Sequence, residues 1–144
     1  MNGYATQILR VNLSTGRITT EVLDANVAHC TIGGRGMAAE FLLSEVPAGI
    51  DALGPDNKLA VATGPFQNTP IPGGTRFAVY AKSPLTGGWG EAHAAGSFGP
   101  MLKRAGYDAL IMEGQASALV YLWASDEGVE LRDARALQGR IFSL

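Results

Sequence analysis

The order of the apolar segments constrains this chain most, because strand-like runs follow one another with tight turns between them. "YATQILRVNLSTGRITTEVL" reads as two strands, residues 4–13 and 17–23, joined by Ser14, Thr15 and Gly16. Gly16 suits the left-handed position that short hairpin loops require. "YDALIMEG", "ALVYLWA" and "GVELRD" give three closely spaced strand candidates further on. "KLAVAT", ending at Gly64 and Pro65, is a short apolar run that suits a buried strand. Residues 76–82 alternate Phe77, Val79 and Ala81 against Arg76, Ala78, Tyr80 and Lys82. The pleat then predicts Phe77 in a core and Arg76 on the opposite face.

Helical patterns are fewer and shorter. Asp24 is placed to cap a short helix through Cys30, which "GGRG" at 33–36 is expected to break. In "MAAEFLLSEV", Ala38, Phe41, Leu42 and Val46 share one face at helical spacing, and Pro47 ends the pattern. "AHAAGSFGPMLKRAG" offers Ser97 as a helix start, Pro100 in the first turn and Gly106 as the stop. Strands outnumber helices and are mostly neighbours in sequence, so the predicted fold class is α+β with a mainly antiparallel sheet. No repeat, low-complexity tract or linker interrupts the chain, and residues 1–144 are read as one domain without an internal boundary.

A net charge of −2 with scattered Lys and Arg leaves no basic footprint for nucleic acid or an acidic membrane. No apolar run reaches the length of a membrane span, and "MNGYATQILRVNL" lacks the pattern of a signal peptide. The expected location is cytoplasmic. Cys30 is the single cysteine, so this chain alone is not expected to build a disulfide, a zinc site or an iron-sulfur cluster.

Arg76 follows "PGGT" and opens a strand, an arrangement suited to a backbone approaching an anionic ligand that a guanidinium then grips with paired hydrogen bonds. A surface arginine after a turn is the plainer reading of the spacing alone. "GWGEAHAAGSFG" places His93, Ala94, Ala95 and Gly96, small residues around one imidazole, at a helix entrance, where free N–H groups bind phosphate. A helix entry with a satisfied histidine explains the same residues. Glu91 and His93 could pair as acid and base on one side of a strand. Around Arg35 the glycines at 33, 34 and 36 fail the G-x-G-x-x-G spacing, and no P-loop pattern occurs. His29 and Cys30 are adjacent on a short helix and point different ways, which suits filler better than a metal pair.

Taken in order, "RVNLSTGRI", "GGRGMA", "ATGP", "PGGTRFAVYAKSPLTGG", "GSFGPMLKRAGYDALIMEG" and "VELRDA" resemble the start of the aldehyde ferredoxin oxidoreductase family, from about residue 4 to about residue 139. The resemblance implies a sheet-rich cradle on which two pterin dithiolenes hold one tungsten, or molybdenum, and it gives the paired glycines a use under that cofactor. It implies that Arg76 sits beside a pterin near a 4Fe-4S cluster. His93 falls where the family often carries asparagine, close to the pterin phosphates and their bridging magnesium, and its backbone carbonyl serves that contact. Ala95, with Gly96 beside it, matches a small-residue position on the same loop.

Family chains are several times longer, and their cluster-binding cysteines and substrate-channel residues lie in later helical domains. The resemblance therefore implies an N-terminal, truncated piece of an enzyme that oxidises aldehydes to carboxylic acids and passes electrons to ferredoxin. Its expected partners are the remaining C-terminal domains, ferredoxin and further copies of itself in a homo-oligomer. The piece alone is expected to be inactive. The alternative is a non-catalytic binding or assembly module that kept the cradle fold. The strands also carry more apolar surface than one short helix covers, which predicts that part of it stands open near Arg76 and His93.

Overall fold

A computed structural model describes residues 2–125 and 127–140 of the protein. Met1, Asp126 and residues 141–144, which fall within the expected 1–144 unit, lie outside the described residues. Six strands form the main sheet: β1 (Gln7–Asn12), β2 (Arg17–Val22), β3 (Lys58–Ala62), β4 (Phe77–Lys82), β5 (Trp89–Ala94) and β6 (Ala109–Glu113). Their order across the sheet is β2-β1-β6-β3-β4-β5. Every pairing is antiparallel except β1 with β6, which run parallel with Ile8 opposite Ala109. Strands β7 (Val120–Ser125) and β8 (Gly128–Asp133) form a separate antiparallel hairpin. The architecture is the α+β, mainly antiparallel class that the strand order predicts.

Both faces of the main sheet are covered. Helices α1 (Ala25–Thr31) and α2 (Gly34–Glu45) lie on one face, where Met37, Ala38, Phe41 and Leu42 pack on Ile8, Ala60, Ala62, Ala78, Tyr80 and Ile111. Helix α3 (Phe98–Arg104) and the β7–β8 hairpin lie on the other, where Leu102, Leu122, Val129 and Leu131 meet Leu9, Val11, Val61 and Leu110. Central strands with two buried faces need no polar alternation, which is why "KLAVA" and "ALI" read as continuous apolar runs. This corrects the expected orientation of β4. Ala78 and Tyr80, not Phe77 and Val79, are its most deeply buried residues, while the latter two are half-buried on the α3 side.

Of the runs expected to stand partly open, Ala60, Val61, Ala62, Leu110 and Ile111 are buried by the chain's own helices and hairpin, whereas Leu59, Leu119 and Trp123 remain exposed. Large apolar side chains do stand open, but several are on connections, such as Ile32, Phe66 and Ile71.

Local chemistry sets the helix ends. The Asp24 carboxylate accepts the Asn26 N–H at 2.7 Å and caps α1. Ser97 stands at the N-cap position of α3, yet its side chain makes no capping bond. The far end of α2 is tied to three strands by ions: Glu45 accepts from Arg10 on β1 at 2.6 and 2.7 Å and from Lys58 on β3 at 2.7 Å, and Lys58 also reaches Glu113 on β6 at 2.7 Å. Burial alone would raise the Glu45 carboxyl, but the bonds from Arg10 and Lys58 outweigh it and hold the group below its ordinary value.

Asp108, fully buried, anchors the opposite end. Its carboxylate accepts the N–H groups of Ala5 and Thr6 at 3.1 and 2.7 Å and pairs with Lys103 of α3, whose ammonium lies 5.4 Å from the Tyr4 ring centre. Its backbone carbonyl accepts both the N–H and the hydroxyl of Thr63, at 3.1 and 2.7 Å.

Candidate functional site

The chain between α1 and α2 turns through two residues with positive φ, Ile32 at 63° and Gly33 at 137°. A Cβ on Gly33 would lie 2.8 Å from the Thr63 carbonyl oxygen and 3.1 Å from Gly64 Cα, so only glycine lets this junction press onto the end of β3. The Gly34 N–H donates to the same Thr63 oxygen at 2.9 Å. Thr63 is itself fixed by Asp108, so the buried anchor and the junction form one hydrogen-bonded sequence. "GGRG" does not simply break a helix, as the sequence predicts. Gly33 separates two helices, and Gly34, Arg35 and Gly36 are the first turn of the second.

A groove of about 360 Å³ opens beside this junction. Backbone and small side chains make much of its lining, from Gly33, Gly34, Ala62, Gly64 and Ala78, with the ring of Tyr80 among them. Arg35, Arg76 and His93 bring the polar groups. Arg76 immediately precedes β4, and His93 stands opposite Ala78 in the β4–β5 ladder. Two of the sequence-predicted site residues therefore meet in one cavity. Ala95 and Gly96 follow the end of β5, are exposed, and are not part of the groove's lining.

Arg35 was not expected at a site, because the glycine spacing around it fits no nucleotide loop. Tyr80 and Gly64 were likewise unmarked. The signal for Arg35 lay in the glycines themselves: they permit a close backbone approach whether or not they follow a named pattern. By contrast, Gly73 and Gly74, which precede Arg76, do not line the groove. Gly74 packs under its own loop, where a Cβ would meet the Phe66 carbonyl oxygen at 2.7 Å. Gly87 and Gly88 close the β4–β5 turn through bonds with Ser83, each 2.8 Å. Turn chemistry thus accounts for the paired glycines that the resemblance sets under a cofactor.

Glu91 organises the groove's rim. Its carboxylate accepts from Arg35 Nε at 2.8 and 3.1 Å, from Arg35 Nη2 at 2.6 Å and from the Trp89 indole N–H at 3.0 Å, and it contacts His93 Nε2. The Arg35 guanidinium, followed by Trp89 and His93, holds the Glu91 carboxyl down at about 2. Burial raises the Tyr80 hydroxyl above its ordinary value, with the Glu91 charge adding to it. The His93 ring meets Tyr80 edge-on, 6.4 Å between centres. Arg35 is thus neutralised by Glu91, whereas among the described residues Arg76 has no carboxylate at ion-pair distance.

A flat floor of backbone with an uncompensated guanidinium at its edge suits a planar anionic group. Among the described residues no three His, Cys, Asp or Glu side chains gather at metal-ligand distance. No helix is long and apolar enough to cross a membrane.

The sequence profile of the aldehyde ferredoxin oxidoreductase N-terminal domain matches residues 8–143. The chain belongs to the aldehyde ferredoxin oxidoreductase family. Tungsten-containing aldehyde ferredoxin oxidoreductases of Pyrococcus horikoshii and Pyrococcus furiosus are 47% and 45% identical to it over 143 and 140 residues. These alignments cover 99% and 97% of this chain but 24% and 23% of those enzymes, so the chain spans about a quarter of their length. The WOR-like subunit of an aliphatic sulfonate oxidoreductase from Pyrococcus furiosus is 33% identical over 142 residues. Among solved structures, the active-site complex BamBC of benzoyl-coenzyme A reductase, with 1,5-dienoyl-CoA, superposes with a TM-score of 0.93 at 34% identity, covering 96% of this chain and 21% of that one.

Proposed function

We propose that this chain is the cofactor-binding portion of a tungsten, or molybdenum, bis-pterin oxidoreductase that converts an aldehyde and water to a carboxylic acid, releasing two electrons and two protons. The observation that carries the reading is the convergence of Arg76 and His93 on one glycine-floored groove in a domain of this family. When bound, the tungstopterin would supply the two-electron redox chemistry, with a 4Fe-4S cluster held by other domains and ferredoxin as electron acceptor.

The residues of this chain bind and orient. Arg76 offers a permanently charged planar fork to an anionic group lying on the groove floor. His93, steadied through Glu91, lines the groove, and its backbone carbonyl would hold a magnesium ion accompanying the cofactor's phosphates. Ala95 and Gly96 supply backbone N–H groups just beyond β5 for the same phosphates. Tyr80 closes the groove from the sheet side. The acting protein is read as cytoplasmic and assembled with its remaining domains, with further copies of itself as an additional partner.

The test is the holoenzyme carrying Arg76→Ala. Tungsten per chain is expected to fall with the fold intact by circular dichroism. Full tungsten and full aldehyde-dependent reduction of ferredoxin would remove Arg76 from the site. A holoenzyme that takes up no tungsten at all, wild type included, would instead point to the non-catalytic module.

A further inference from the structure

Gln67 lies in the connection between β3 and β4, and its exposure of 3% is low for a polar residue in a loop. Its side-chain N–H group donates to the backbone carbonyl of Arg76, nine residues along. Its Oε1 is buried and, among the described residues, has no donor within reach. The amide is wedged against the first turn of α3: a Cβ on Gly99 would meet Nε2 and Oε1 at 2.9 Å each. The rest of the connection is anchored in the same region. The Gln67 N–H reaches the Gly64 carbonyl at 3.2 Å, and Arg104 Nε donates to Asn68 Oδ1 at 2.9 Å.

A buried amide that leaves one of its own polar atoms unpaired is poorly explained by stability, since an apolar side chain of similar size would avoid the cost of that oxygen. What the amide does accomplish is to hold the carbonyl of Arg76, a residue that lines the groove. Arg76 is exposed and stands at the end of a long connection just before β4, so its backbone would otherwise be free to shift. A shift of about an ångström at a positioned group is enough to spoil its alignment with a ligand.

We infer that Gln67 is a positioning residue for Arg76: seated on Gly99, it fixes the Arg76 backbone so that the guanidinium meets the anionic cofactor in a set geometry. This rests on the reading of Arg76 given above. Gly99 belongs to the same device, because any larger residue there would displace the amide.

The test uses the holoenzyme with Gln67→Met, Gln67→Glu and Arg76→Ala, reading tungsten per chain, the rate of tungsten loss on dialysis, and the thermal midpoint. Gln67→Met removes both the donor and the unpaired oxygen at similar volume. It is expected to leave the thermal midpoint unchanged or higher while tungsten retention falls about fivefold, the worth of one hydrogen bond. Gln67→Glu, whose carboxylate would face the Arg76 carbonyl, is expected to lose at least as much tungsten. Full retention in both Gln67 variants, with Arg76→Ala depleted, would overturn the role of Gln67 alone. Parallel loss of midpoint and tungsten in Gln67→Met would likewise overturn it, by showing a purely structural residue. Full retention in Arg76→Ala would overturn the reading beneath it.

Discussion

At the scale of single residues, Arg76 and Glu91 show how differently two charged groups at one rim are employed. Glu91 is saturated by donors from Arg35, Trp89 and His93, whereas Arg76 is left for a ligand. Replacing Arg76 by lysine keeps the charge but loses the fork. The expected result in the holoenzyme is weaker cofactor retention or a shifted cluster potential with unchanged folding, measured by metal analysis and redox titration. Glu91 carries a pH signature. Its folded value of about 2 lies below the ordinary 4.5, so its contacts stabilise the fold in full above the ordinary value and are lost as pH falls toward the folded one. Glu91→Gln is expected to flatten the stability profile in that window relative to the wild type, as read by denaturation midpoints at successive pH values. Identical acid limbs would show that the clamp adds nothing to folding.

At the scale of elements, the groove depends on how closely the α1–α2 junction can approach β3. Gly33→Ala combines a disfavoured backbone conformation with a contact shorter than real Cβ atoms accept, and it is expected to cost about 1–3 kcal/mol. Chemical denaturation would measure this, and a neutral variant would mean that the junction has slack. Asp108 binds the same region from below through Thr63 while pairing with Lys103, whose side chain is 8% exposed. Asp108→Ala leaves that ammonium buried without its partner and frees two backbone N–H groups. A loss of about 3–5 kcal/mol is expected, large enough to appear in urea midpoints.

At the scale of the whole molecule, the domain is a two-sided sheet with its groove at one end. Cys30 is the single thiol and is exposed. The purified 144-residue chain is therefore expected to carry no stoichiometric iron and to show no aldehyde oxidation. Iron analysis and visible absorption check this, and a cluster band would require that Cys30 from several chains share it. Much of this scale was legible beforehand. The hairpin, the three late strands, the Asp24 cap and the α2 face all follow from local patterns, because turn chemistry and periodicity act over a few residues. The Trp89–Ala94 strand was visible only as a shared side for Glu91 and His93, since "WGEAHA" has little strand propensity and is held by its ladder with β4.

By itself the sequence determined most element types and their order, the fold class and, through ordered motifs rather than any single one, the family. Those properties depend on backbone preference, side-chain alternation and spacing, all of which are local. Only the tertiary structure decided that β6 inserts between β1 and β3, parallel to one and antiparallel to the other, and that both faces of β4 are covered. It also decided that Arg35, Tyr80 and Gly64 join Arg76 and His93 at one groove while Gly73 and Gly74 serve a turn. The physical reason is that strand insertion, two-sided burial and the pairing of Arg35 with Glu91, 56 residues apart, are settled by long-range packing. A local pattern can offer a glycine or an arginine, but which backbone it comes to lie against depends on the assembled sheet.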